Sequence, residues 1–179
     1  ADDMGLGKTL QTLSLLLTLK QRGELNQPAL IVCPTSLLGN WLAEAARFTP
    51  QLRVLQVHGN KRQGLFNHLA DYDVIVTSYP LVVRDHKYYQ QQPLAAVILD
   101  EAQHIKNAGS LAAKAVRLLK AEFKLALSGT PLENHLGELK SIFDFVLPGL
   151  LGNDTHFNQV YRKPIEKHGD AERAHALKA

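Results

Sequence analysis

Residues 3–9 read Asp3-Met4-Gly5-Leu6-Gly7-Lys8-Thr9 and run directly into a leucine-rich segment, residues 9–20, with helical spacing. Two glycines ahead of a helix let the backbone curl until its N–H groups face a common point. The helix that follows turns its positive N-terminal end toward the same point. Such a turn cradles phosphate: Lys8 would reach β- and γ-phosphates, and the Thr9 hydroxyl would ligate Mg²⁺. The usual pattern is G-x-x-x-x-G-K-[ST]. Gly7, Lys8 and Thr9 fill its end, whereas Asp2 stands where the first glycine is expected. The competing reading is a glycine-rich turn followed by a chance Lys-Thr.

Five short apolar segments follow: residues 29–33 (ALIVC), 52–57 (LRVLQV), 73–77 (DVIVT), 96–100 (AVILD) and 124–128 (KLALS). Three are nearly unbroken Val, Ile, Leu and Ala, as in strands buried on both faces of a parallel sheet. Between them lie helical stripes. Residues 36–48 align Leu37, Leu38, Trp41, Leu42, Ala45 and Phe48. Residues 111–119 and 136–146 are patterned likewise. The alternation predicts right-handed βαβ units in a three-layer α/β domain with a mostly parallel sheet. Residues 85–93 (DHKYYQQQP) are polar and end in proline, which predicts a surface excursion. The stretch after Pro148 is glycine-rich and then charged, which predicts a helical tail.

The segment 96–103 ends its buried strand in Asp100 and Glu101. Carboxylates at the carboxyl edge of such a sheet lie where ligands bind in open α/β folds. Beside a phosphate loop, Asp100 would hold Mg²⁺ through water, and Glu101 would orient or deprotonate the attacking water. A plain helix N-cap is the competing reading.

Composition narrows the classes. The 179 residues (19.8 kDa) give room for one ordinary domain. With 45% hydrophobic and 21% charged residues the chain is neither disordered nor collagenous. One cysteine, Cys33, forms no internal disulfide and suits a reducing compartment. No run approaches a membrane span, and no signal peptide opens the chain. A net charge of +3 permits nucleic-acid binding without demanding it. Five basic residues between Lys106 and Lys124 face a single acid, Glu122, and read either as a solvated helix face or as a basic patch. The eight histidines include no H-E-x-x-H and no Cys/His cluster, and no G-x-S-x-G is present. Cys33 and Trp41 read as packing residues, His58 with Gly59 as a turn, and His104 as lying near the nucleotide. The triplet Asn153-Asp154-Thr155 is set aside as a chance match.

In order along the chain stand ADDMGLGKTLQT, LIVCPTSLLGNW, VIVTSY, VILDEAQHIKN and LSGTPLENHLGEL, followed by FDFVLPGLLG. Together they resemble the first RecA-like lobe of the Swi/Snf-type DNA-dependent ATPases of helicase superfamily two, over essentially the whole chain. Members of that family usually carry an acid at the position of Asp2. The resemblance implies a RecA-like P-loop domain over residues 1–148, and in residues 149–179 the start of a helical segment leading toward a second lobe. It implies ATP bound at Asp3, Met4, Gly5, Leu6, Gly7, Lys8 and Thr9, Mg²⁺ on Thr9 and Asp100, and catalysis by Lys8, Asp100, Glu101 and Gln103. It implies contact with double-stranded DNA, or coupling to it, at Pro34, Thr35, Ser36, Thr77, Ser78, Tyr79, Ser128, Gly129 and Thr130, with Gln103 linking the acidic strand to Ser128–Thr130. Helix capping is the competing role for Ser36.

The same resemblance implies that the chain, which begins at Ala1, is a piece of a longer protein. The second RecA-like lobe, the adenine-recognising segment and the strand leading into Asp2 would lie elsewhere in the parent. An edge left without its neighbouring strand is a liability, so the isolated chain is expected to be poorly stable, and a cooperative melt well above ambient temperature would contradict this. The implied activity is ATP-driven translocation on duplex DNA, without strand separation as a necessary step, acting on protein–DNA complexes and involving no membrane. The spellings DDMGLGKT and DEAQ point to a bacterial cytoplasm, with a nuclear home as the alternative. Two other classes stay open: a non-motor P-loop ATPase, and a nucleotide-binding module without turnover of its own.

Overall fold

The structure is a computed structural model that describes residues 6–129 and 136–167. Its centre is a five-stranded parallel sheet in the order β2-β3-β1-β4-β5. The strands are β1 (Ala29–Cys33), β2 (Val54–Gln56), β3 (Val74–Ser78), β4 (Ala96–Leu99) and β5 (Phe123–Ala126). The continuous apolar runs are explained by burial on both faces: every residue of β1, β3 and β4 is buried. Alternate residues divide between two cores. Leu30, Val32, Ile75, Val97 and Leu99 face one, and Ala29, Ile31, Cys33, Val74, Val76, Ala96 and Ile98 face the other.

Helices α1 (Leu6–Gln21) and α2 (Leu38–Phe48) close the second core through Leu13, Leu16, Leu38, Trp41 and Ala45. Helices α3 (Tyr79–Gln91), α4 (Leu111–Arg117) and α5 (Leu136–Val146) cover the first through Val82, Tyr89, Ala113, Val116, Ile142 and Phe145. The result is the expected three-layer α/β arrangement. β5 is an edge strand of this sheet, and all four of its residues are only half-buried.

Two differences from the sequence expectation exceed two residues at an element end. α1 begins at Leu6, so Gly7, Lys8 and Thr9 form its first turn rather than the end of a loop. The predicted excursion at residues 85–93 is mostly helix: α3 runs to Gln91 and buries Asp85 and Tyr89. Its polar spelling hides an ion pair. Arg62, in the 3₁₀ segment Arg62–Asp71, bonds Asp85 through Nε at 2.5 Å and Nη2 at 3.0 Å. After α5, the short helix α6 (Asp154–Phe157) leads into a wide π-helical segment, Asn158–Lys167. Lys140 ties α5 to this tail, reaching Asp144 at 2.6 Å and Asp154 at 3.1 Å.

At the amino end of the strands, Asp73 precedes the inner strand β3 and anchors α1. Its carboxylate accepts from Lys20 Nζ at 2.7 Å and from the Arg53 main-chain N–H at 2.7 Å. Burial alone would raise this carboxyl, but the bonds from Arg53 and Lys20 outweigh it and hold the group below the usual range. A depressed folded-state value stabilises the fold above the unfolded value of about 4. That contribution is lost as pH falls through the folded value. Asp73→Asn is therefore expected to cost about 1–2 kcal/mol at neutral pH. The deficit should close in acid, as read by denaturant titrations at both pH values.

Candidate functional site

The carboxyl edge of the parallel sheet gathers the first turn of α1, the ends of β1, β3 and β4, and the residues after β5. A helix start leaves its first N–H groups without intrahelical partners and carries partial positive charge. The first turn of α1 contains no acid to compete for it. Thr9 is buried at 3% exposure. Lys8 Nζ lies 3.8 Å from Glu101 Oε1, both side chains being partly open to solvent.

Asp100, 4% exposed, is gripped from three sides. Its Oδ1 accepts from the Glu101 N–H at 2.9 Å, its Oδ2 from Trp41 Nε1 at 2.9 Å, and its carbonyl oxygen from the Tyr79 hydroxyl at 2.8 Å. Burial pushes the carboxyl above its ordinary range; the Trp41 bond opposes this, and neighbouring Glu101 adds to it. Glu101 takes a left-handed backbone, φ 51°, which is uncommon for a residue with a side chain and concentrates at functional sites. Gln103 bridges the site, donating to Glu101 Oε2 at 2.5 Å and accepting from Ser128 Oγ at 3.2 Å. The acidic turn and the segment after β5 are thus joined by side chains.

Gly129 abuts the same ammonium, since a Cβ there would stand 2.7 Å from Lys8 Nζ. The neighbour is the end of a flexible chain, so Gly129→Ala should barely change thermal stability while displacing the ammonium. Thermal denaturation of Gly129→Ala checks this, and a midpoint well below that of the unsubstituted protein would show that the Lys8 side chain cannot give way.

The other sequence-predicted residues fall into two groups. Pro34 is half-buried, and Thr35 and Ser36 are exposed in a 3₁₀ turn before α2. No side-chain hydroxyl caps that turn or α2, so the capping role for Ser36 is not seen. Thr77 and Ser78, by contrast, are buried at the end of β3, with Thr77 Oγ1 donating to the Val57 carbonyl at 3.0 Å. Tyr79 is buried beneath His104, their rings stacked at 4.7 Å. These three side chains therefore support the edge from within. Asp3, Met4, Gly5 and Thr130 lie outside the described residues, as does the side chain of Leu6. Lys106, from the basic stretch, is exposed and pairs with Glu138 at 3.3 Å. Cys33 is fully buried, and burial pushes its thiol up to about 12, which suits packing.

Trp41 lies in the core as the sequence predicted, but sequence reasoning missed its bond to Asp100. The available signal was chemical: a buried indole N–H needs an acceptor. The left-handed turn at Glu101 had no signal.

The Thr9 hydroxyl and the Asp100 carboxylate are hard oxygen donors, the chemistry by which Mg²⁺ is held through one or two protein groups together with phosphates. Among the described residues no helix is long and apolar enough to cross a membrane.

The profile of the SNF2-related domain family matches residues 1–179. The Bacillus subtilis protein YwqA, named for an ATP-dependent helicase/translocase, is 45% identical over 97% of this chain, which spans 19% of YwqA. The human chromatin-remodeling ATPase INO80 is 37% identical over 95% of the chain, which spans 12% of that protein. The Sulfolobus solfataricus SWI2/SNF2 ATPase core, solved in complex with dsDNA, superposes with a TM-score of 0.88 at 39% identity. That match covers 98% of this chain and 36% of the solved one.

Proposed function

Because the chain belongs to the SNF2-related domain family, we propose that it is the ATP-binding lobe of an ATP-driven translocase acting on double-stranded DNA. The observation that carries this reading is the convergence of Lys8, Glu101, Gln103, Ser128 and Gly129 on one sheet edge beside buried Asp100. ATP would lie against Asp3, Met4, Gly5, Leu6, Gly7, Lys8 and Thr9, with its phosphates at the first turn of α1. Thr9 and Asp100 would hold Mg²⁺, which supplies charge neutralisation at the β- and γ-phosphates. Glu101 orients the attacking water, and Gln103 fixes Glu101 while sensing Ser128. Exposed Thr35 and Ser36, with the N–H groups of their turn, suit contact with a DNA backbone.

The chain spans about a fifth or less of the curated relatives named above. We place residues 1–148 in the first RecA-like lobe and residues 149–179 at the start of the passage toward a second lobe in the parent. That lobe would supply arginine to the γ-phosphate, a contribution of about 10³–10⁵ in rate in P-loop enzymes. A protein–DNA complex is the proposed substrate. The proposed compartment is a bacterial cytoplasm, with the nucleus as the alternative.

The test is steady-state ATP hydrolysis by the complete parent protein with duplex DNA, with RNA and with neither. Stimulation by duplex is the expected result. Hydrolysis indifferent to duplex would favour a non-motor ATPase and would remove the DNA roles of Pro34, Thr35 and Ser36.

A further inference from the structure

Asp100 sits where two helices meet the carboxyl edge, and each helix reaches it through one aromatic donor. Trp41 lies in the first turn of α2, and its Nε1–H points at Asp100 Oδ2. Immediately before α2 stand Pro34, Thr35 and Ser36, whose turn is exposed and whose hydroxyls are not spent on capping. Tyr79 opens α3 and holds the Asp100 carbonyl, while its ring stacks on His104 just beyond Glu101. All three partners are nearly sealed from water: Trp41 is 1% exposed, and Tyr79 and Asp100 are each 4% exposed.

We propose that Trp41 is a positioning residue that transmits duplex engagement at the start of α2 to the Asp100 carboxylate, with Tyr79 as a parallel link from the start of α3. This rests on the reading of the sheet edge as a DNA-dependent ATPase site. The Leu38 N–H donates to the Thr35 carbonyl, which ties the exposed turn to the first turn of α2. A phosphate pulling on Thr35 and Ser36 therefore shifts the indole with them. The indole N–H is a donor only, so its direction fixes which lone pairs of Oδ2 remain for a ligand. Packing alone needs a ring at position 41 but no N–H aimed at a catalytic carboxylate.

The test uses the full-length protein with Trp41→Phe and, separately, Tyr79→Phe. Each keeps an aromatic ring and removes one donor. Three quantities are read: the ratio of duplex-stimulated to unstimulated hydrolysis, duplex affinity, and the ¹⁹F resonance of Trp41 in protein labelled with 5-fluorotryptophan. Trp41→Phe should lower the stimulation ratio by about tenfold, the scale of one hydrogen bond to a charged group. Duplex affinity should stay within about twofold, a change of under half a kcal/mol. The Trp41 resonance, identified by its loss in the variant, should move when duplex alone is added.

A ratio retained by both variants, or a resonance unmoved by duplex, overturns the proposal. Should Trp41→Phe fail to fold, a stimulation ratio retained by Tyr79→Phe together with an unmoved resonance in the unsubstituted protein does the same. An unsubstituted protein that duplex does not stimulate would overturn the functional reading itself, and the coupling with it. A stimulated protein whose variants are equally stimulated overturns only the coupling.

Discussion

Arg62→Leu is expected to cost about 3–5 kcal/mol of folding free energy, because it strands a buried carboxylate. The Arg62 and Asp85 side chains are 7% and 5% exposed. The guanidinium engages both carboxylate oxygens and also donates to the Gly59 carbonyl at 2.9 Å. Without the guanidinium, the buried Asp85 carboxylate loses the bonds to both of its oxygens. Replacing both residues with leucine should recover much of the loss, since an apolar pair of similar volume escapes the desolvation penalty. Denaturant midpoints of the two variants, compared in the full-length protein, check this. A loss under about 1 kcal/mol for the single change would mean that water reaches Asp85.

Lys8→Ala in the full-length protein is expected to lower duplex-stimulated hydrolysis by about 10²–10³, the cost of one preorganised charge at a reacting phosphate. Lys8 stands at the first turn of α1, faces Glu101 and is flanked by Gly129. Nothing in that setting makes it a stability residue, so the thermal midpoint should hold. Lys8→Arg should not restore the rate, since a planar fork does not replace a compact ammonium. Hydrolysis within a few-fold of the unsubstituted protein would remove Lys8 from the phosphate site.

Much of this was legible in the sequence because two periodicities dominate it. Unbroken runs such as Ala29–Cys33 and Ala96–Leu99 are buried on both faces, and their shortness favours strand over buried helix. The stripe through Leu38, Trp41 and Ala45 predicted the buried face of α2. Residues 85–93 misled because their polarity serves α3 itself: Asp85 is spent on Arg62, 23 positions away. A one-dimensional reading cannot see a partner at that distance. Motif order led to the expectation of one site from Lys8, Asp100, Glu101 and Gln103, and Glu101 touches each of the other three. The burial of Thr77 and Ser78 was not, because a hydroxyl in a pattern reads equally as a contact or as a support. Trp41 lies in the core as its place on the stripe predicted, but its bond to Asp100 could not be read there, because an indole N–H leaves no periodic trace.

Movement along duplex DNA driven by ATP is read by displacement of a triplex-forming strand from a duplex by the full-length protein. Displacement should require ATP, be abolished by Lys8→Ala, and leave the underlying duplex paired. Duplex-stimulated hydrolysis with the triplex left in place would rule out translocation.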